Sequence, residues 1–286
     1  MNRHTHEAWT ARTLGRGAYE LRYTRDHRRL TDAVRARLAG PGLALIRGTP
    51  AGSLPTRHAQ DFTTALLAPL GHVLPQGRDT DTATGWLVRD EGASRHTDDR
   101  RFRETAYTSK SRGPLHLHND QAVEPFGHTP RLIALAVHRA AARGGATLLA
   151  DGHTVHRILG TEHPAELDVL ARPFPFDRRH VTPAGRPAVV HAPVVEAAAG
   201  RIRLRVNLTR IETAAELTRR PLSPPQRRAV DVLRAVLARP GLVLALPLSQ
   251  GDCLVLDDRR VLHGRTAYAD HPDPGRRRCL IRVMLA

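Results

Sequence analysis

Apolar positions first fall into a regular pattern at Leu30, Val34 and Leu38, a helical spacing that Gly40-Pro41-Gly42 brings to a stop. Leu43 to Ile46 is a short apolar strand, and residues 56–69 form a second helical pattern with Phe62, Leu66 and Leu67 on one side. Residues 71–113 then lose all periodicity and are dominated by Gly, Asp, Arg and Thr. So long a polar stretch inside a compact domain reads as a lid or active-site loop, or equally as a wandering surface loop. The first 17 residues read as a loose terminus.

From residue 114 onward the chain is mainly strands. Leu132 to Val137 is almost wholly apolar, Ala146 to Ala150 is a second short run, and Ile202, Leu204 and Val206 alternate with Arg201, Arg203 and Arg205 as in a half-buried strand. Ser223-Pro224-Pro225-Gln226 has the form of a capping box with proline at the first helical position. It opens a helix with Val230, Leu233 and Leu237 on one face, which Pro240-Gly241 ends. Strand patterns follow at 242–246, 253–257 and 279–285. Many short strands with helices early and late predict a mainly β sandwich or barrel with flanking helices. No linker or repeat divides the 286 residues, so one domain is expected, and 41% hydrophobic content is ample for its core.

Composition changes this picture little. No apolar run approaches the length of a membrane span, and MNRHTHEAWTARTLGRG has no apolar segment of a secretion signal, so a cytoplasmic protein with no membrane partner is expected. The net charge of +16 would point to nucleic acid, yet of 44 basic residues only Lys110 is lysine. The arginines stand in ones and twos with no interleaved aromatic side chains to stack bases. A coding bias accounts for them better than a basic face, and nucleic acid is not expected as a partner. Cys253 and Cys279 are read as small buried strand residues.

Seventeen histidines make any single one uninformative, so spacing must choose. On a strand, residues i and i+2 share a face, and a His-x-Asp pair offers two ligands to one metal. A histidine from a neighbouring strand would complete the two-histidine, one-carboxylate set of non-haem Fe(II) sites. Three such pairs occur: His96/Asp98, His118/Asp120 and His271/Asp273. The first lies in the polar stretch, and the third is flanked by prolines that suit a turn. His118-Asn119-Asp120 ends the alternating segment Pro114-Leu115-His116-Leu117-His118, the only one of the three on a strand pattern.

Taken with AARGGATLLADG, GDCLVLDDRRVLHGRTAY and RRRCLIRV, the segment PLHLHND resembles the taurine dioxygenase/clavaminate synthase-like group of Fe(II)- and 2-oxoglutarate-dependent oxygenases, over roughly residues 105–286. The resemblance implies a double-stranded β-helix, or jelly roll, with helices outside. It implies Fe(II) held by His118, Asp120 and His263, and 2-oxoglutarate held through its distal carboxylate by Thr147 and Arg278. Arg282 matches a position that in several relatives binds an acidic group of the substrate, and His116 and Asn119 are expected to line the substrate pocket. One departure is Asp258, where Asn is usual before the Arg-Arg-Val run.

The implied activity uses O2 and 2-oxoglutarate to hydroxylate an unactivated C–H bond, releasing succinate and CO2. An aspartate at 120, rather than a small residue, implies hydroxylation over halogenation; desaturation, ring closure and epimerisation use the same ligands. Low aromatic content and Arg282 point to a small acidic substrate, an amino acid or a natural-product intermediate derived from one. Rival readings are a nucleic-acid-binding protein, a non-catalytic jelly-roll relative, and a zinc site built from the same three ligands.

Overall fold

Two sheets packed face to face carry the chain. In the computed structural model, which describes residues 8–78, 81–90, 111–125, 128–178, 187–198 and 201–286, the larger sheet has seven strands. They run in the order Glu20–Arg22, Leu43–Arg47, Cys253–Asp257, Leu132–Arg139, Cys279–Leu285 and Val73–Leu74, with Trp86–Val88 also paired to Cys279–Leu285. Only the first pairing is parallel. The smaller sheet is antiparallel, in the order Leu244–Leu246, Thr147–Asp151, Val261–Arg265 and Leu115–His118.

The apolar runs read from the sequence are runs because both faces of the larger sheet are covered. Leu43, Leu45, Leu254 and Leu256 point inward and pack with Leu149, Leu246 and Val261 of the smaller sheet. Ala44, Ile46, Cys253 and Val255 point outward, onto Leu30, Val34 and Leu38 of helix His27–Ala39 and Leu66 and Leu67 of helix Thr56–Leu67. Each fully buried leucine contributes about 1.5–3 kcal/mol by leaving water. The first helix starts where Asp26 accepts the Arg29 N–H (3.0 Å) and stops at Gly40. On the outer side of the smaller sheet, Ala150 and Leu262 pack with Phe174, Phe176, Leu159 and Leu233, the last two from helices Gly152–Glu162 and Pro224–Leu237. The capping box at Ser223 forms, with Ser223 Oγ and Gln226 Oε1 each accepting the other residue's backbone N–H.

Three expectations need correction. Residues 8–17 are not loose: Trp9 is buried, its N–H donates to Asp151 Oδ2 (3.0 Å) and its indole to Pro41 O (2.7 Å). A buried indole with both ends satisfied outweighs the polar sequence around it. The polar stretch 71–113 is not one loop, since Val73–Leu74 and Trp86–Val88 add to the edge of the larger sheet and Gln76–Arg78 pairs with Asp81–Ala83. Residues 91–110, and with them His96 and Asp98, lie outside the described residues. In the 201–206 run, alternation fails at Arg205, which is buried and donates to the carbonyls of Ala122 and Glu124. No helix among the described residues is long and apolar enough to cross a membrane.

Candidate metal centre and cosubstrate pocket

The period of two along each strand decides what lies between the sheets. In Val261–Arg265, Val261 packs inward, so His263 and Arg265 point inward as well. Opposite them in register stand Leu149 for His263 and Thr147 for Arg265. In Cys279–Leu285, Ile281, Val283 and Leu285 face the helices, which turns Arg282 toward the smaller sheet. The strand Leu115–His118 brings His118 beside His263, and Asp120 follows just past the strand end.

His118, Asp120 and His263 each offer a ligand atom, and these atoms lie within 4.8 Å of one another. The two imidazoles are 4.3 Å apart between centroids, and His118 Nε2 is 3.5 Å from Asp120 Oδ1. A polar group stands behind each ring. His118 Nδ1 lies 2.9 Å from the His116 carbonyl, an acceptor only, so Nδ1 carries a proton and Nε2 faces the site. His263 Nδ1 lies 3.2 Å from Asp258 Oδ1. Burial resists ionisation of Asp120, but Arg282 and the two histidines outweigh it and hold the carboxyl well below its usual range. Burial pushes His263 down, toward the neutral form a metal needs. Burial, with Asp120 next in weight, pushes Asp258 well up. Two imidazoles and one ionised carboxylate, converging on one point, fit a divalent transition metal with open positions.

At the far end of the same strands lies a cationic pocket. Arg278 is buried, its backbone N–H donates to Asp270 Oδ1 (2.6 Å), and its Nη1 has no hydrogen-bond partner among the described residues. Thr147 is buried at the start of its strand. The turn before it is made possible by glycine. Gly144 and Gly145 have φ of +75° and +73°, and a Cβ on Gly144 would stand 2.4 Å from the Ala267 carbonyl. A buried guanidinium N–H with no partner among the described residues, and a buried threonine on a strand of the same site, fit a carboxylate, so this end can take the distal group of 2-oxoglutarate.

The remaining expected residues divide. Arg282 is at the centre: Nη1 donates to Asp120 Oδ2 (3.0 Å) and Nε to Gln76 Oε1 (2.8 Å). His116 is exposed, because the register between its strand and Val261–Arg265 slips between His263 and Arg265; it serves through its carbonyl instead. Asn119 is buried, with Oδ1 accepting the Val206 N–H (2.9 Å) and Nδ2 donating to Asp258 O (2.5 Å). Sequence reasoning missed Asp258, whose Oδ2 also accepts the Asp120 N–H (2.9 Å), and Gln76, hidden in the polar stretch. Arg265 could have been found, since it stands two residues beyond His263 on one strand. Asp273 caps the turn Pro274–Arg276, as its prolines foretold.

Two histidines and a carboxylate converging between two sheets, with buried arginines at one end, are a donor set that could hold a non-haem iron and receive a 2-oxo acid. The family model described as taurine catabolism dioxygenase TauD, TfdA family, matches residues 7–284, and the chain belongs to that family of Fe(II)- and 2-oxoglutarate-dependent dioxygenases. The match reaches nearly to the N-terminus, well beyond the 105–286 over which the motifs alone carry the resemblance.

Among curated relatives, a uridine-5′-phosphate dioxygenase of Streptomyces sp is 28% identical over 244 residues, 82% of each chain. A second uridine-5′-phosphate dioxygenase, of Amycolatopsis sp, is 32% identical over 173 residues, 59% of this chain and 60% of that one. FR-33289 synthase of Streptomyces rubellomurinus is 24% identical over 235 residues, 82% of this chain and 65% of that one. Of solved structures, asparagine oxygenase in complex with Fe(II), 2S,3S-3-hydroxyasparagine and succinate shares the fold at TM-score 0.64, with 18% identity over 93% of both chains.

Proposed function

We propose that His118, Asp120 and His263 hold Fe(II), that Arg278 with Thr147 receives the distal carboxylate of 2-oxoglutarate, and that the chain hydroxylates a C–H bond of a small anionic natural-product intermediate. The two sheets, on this reading, are the halves of a double-stranded β-helix. The observation that carries the proposal is the convergence of the three ligand side chains within 4.8 Å. Bound Fe(II), 2-oxoglutarate and O2 together supply the oxidising power, with succinate and CO2 released.

The protein's own part is to orient and to hold charge. The His116 carbonyl fixes the tautomer of His118, and Asp258 sits behind His263. Gln76 holds Arg282 against Asp120, which keeps the carboxylate ionised. Nη1 and Nε of Arg282 are engaged, and Nη2 is available for a carboxylate or phosphate of the substrate, within reach of the metal ligands.

An amino acid or an intermediate made from one fits a small, acidic, non-aromatic substrate. A nucleoside 5′-phosphate is the second reading, favoured by the two curated uridine-5′-phosphate dioxygenases. The test is an anaerobic titration with Fe(II) and 2-oxoglutarate, watching the weak visible charge-transfer band of the chelate, followed by succinate release with amino acids and nucleoside 5′-monophosphates. A band that needs Asp120 and sharpens or shifts with one substrate class supports the proposal and chooses between the readings. No band in folded protein refutes it.

A further inference from the structure

A second arginine stands at the carboxylate end of the site. Arg265 is buried on the inward face of its strand, directly opposite Thr147 in register. Its guanidinium carbon lies 4.8 Å from the centroid of the Tyr268 ring, and that of Arg278 lies 4.9 Å from the same centroid. Two buried cations share one aromatic ring. Burial, and after it the charge of Arg278, push Arg265 down to about 10.

The charge of Asp90 acts on Arg265 and that of Asp270 on Arg278, and Asp270 Oδ1 takes the Arg278 backbone N–H. Two buried guanidinium groups gathered on one ring make this end of the site favourable to an anion. Arg265 is also pinned, for Nη2 donates to the carbonyls of Ser111 and Gly113, both at 2.6 Å. The carbonyl between them, of Arg112, takes the Tyr268 N–H at 3.1 Å. Three consecutive carbonyls, just before the strand that bears His118, thereby fix the arginine and the ring together. Gly145 leaves room for the assembly, since a Cβ there would meet Tyr268 Cβ at 3.3 Å and Arg278 Nε at 3.6 Å.

We propose that Arg265 is a positioning residue of the cosubstrate pocket: by bearing on Tyr268 and adding a fixed charge beside Arg278, it selects 2-oxo acids that carry a distal carboxylate. The inference rests on the assignment of Arg278 to that carboxylate. Its role differs from that of a scaffold residue in one measurable respect. A scaffold residue supports binding of every 2-oxo acid, whereas Arg265 supports only those whose far end is charged.

The experiment titrates Fe(II)-loaded, anaerobic full-length protein with 2-oxoglutarate and with 2-oxobutyrate, which has the same chelating end and no distal carboxylate, reading the chelate band. Arg265→Gln, Arg265→Lys, Tyr268→Leu and Arg278→Gln are compared with the unaltered chain. Arg265→Gln and Tyr268→Leu are expected to weaken 2-oxoglutarate by about tenfold or more while leaving 2-oxobutyrate within about twofold, in line with a charge-assisted contact. Arg265→Lys keeps the charge but loses the planar fork, and is expected to show the same selectivity to a smaller degree. It decides the matter if the glutamine variant does not fold. Equal weakening of both acids, or no weakening of either, overturns the proposal. If Arg278→Gln is selective and the Arg265 variants are not, only the role of Arg265 falls. If Arg278→Gln leaves 2-oxoglutarate binding intact, the assignment of Arg278 falls instead.

Discussion

Asp258 offers the sharpest test of how the metal ligands are held. Its side chain is buried; Oδ2 accepts the backbone N–H of Asp120 at 2.9 Å and Oδ1 lies 3.2 Å from His263 Nδ1. One carboxyl group therefore bonds one of the three ligand residues and lies against a second. Asp258→Ala leaves the Asp120 N–H without an acceptor, at a cost of about 1–3 kcal/mol, and leaves the His263 ring free to turn. Removing an outer partner of a ligating histidine lowers metal affinity by about 10- to 100-fold, equivalent to about 1.4–2.8 kcal/mol. Asp258→Asn behaves differently, because an amide oxygen still accepts the Asp120 N–H and no carboxylate need be kept ionised against burial and the charge of Asp120. Asn is also the usual residue here in the family the sequence resembles. The expected order of Fe(II) affinity, measured anaerobically by competition with a coloured chelator, is Asp258→Asn within a few-fold of the unaltered protein and Asp258→Ala far below. If Asn is as damaging as Ala, the charge of Asp258 matters and not its hydrogen bonds. If Ala is harmless, the outer contacts have no part in holding the ligands.

Asn119→Ala removes two buried hydrogen bonds, to the Val206 N–H and the Asp258 carbonyl, and is expected to lower stability in urea by about 2–4 kcal/mol; a change confined to substrate KM would contradict the structural role. Cys253 and Cys279 are buried, and burial raises both thiols, Cys253 to about 12, so neither should react with iodoacetamide at pH 8 unless urea is present. The Asp120 carboxyl sits below its ordinary value of 3.8 in the folded chain, so its contribution is complete above that value and disappears as pH falls through the lower folded one. Metal-free Asp120→Asn should therefore lose stability less steeply than the unaltered protein below about pH 4, and equal slopes in acid denaturation would refute that sign.

Strands and helices whose side chains answer to burial were readable in the sequence. Leu43–Arg47, Cys253–Asp257 and Cys279–Leu285 are apolar because each strand is covered on both faces, and the helix at Pro224–Leu237 carries its own start signal. His118 and Asp120 were readable because a period of two and a strand pattern suffice to join them. What failed to show were contacts whose partners are main-chain atoms far away in sequence. Nothing near Trp9 foretells the Pro41 carbonyl, and nothing near Gln76 foretells the Arg282 carbonyl, 206 residues on. His116 was misjudged for a related reason, since a one-residue slip in register turns a strand residue from the pocket to the surface.

The arginine excess shows where a compositional argument stops being sufficient. A coding bias explains why nearly every cation is arginine, and surface residues such as Arg35, Arg227 and Arg276 ask for nothing more. It does not explain arginines that are buried, because burying a guanidinium without partners costs several kcal/mol, on the order of the whole stability of a domain. Three of the buried ones have partners that can be named. Arg260 joins Asp151 at 2.8 Å, and that same Asp151 receives the Trp9 N–H, so the pair closes the N-terminal segment onto the sheets. Arg205 holds the Ala122 and Glu124 carbonyls of the segment that leaves Asp120. Arg265 holds those of the segment that enters the His118 strand. The chain around the metal ligands is thus gripped on both sides by guanidinium groups bonded to carbonyl oxygens. In each a single Nη takes both carbonyls, held in place by the planar guanidinium, whereas lysine carries its compact ammonium on a flexible stem. A bias that supplied arginine everywhere left it, at these positions, in the one role for which lysine is a poor substitute.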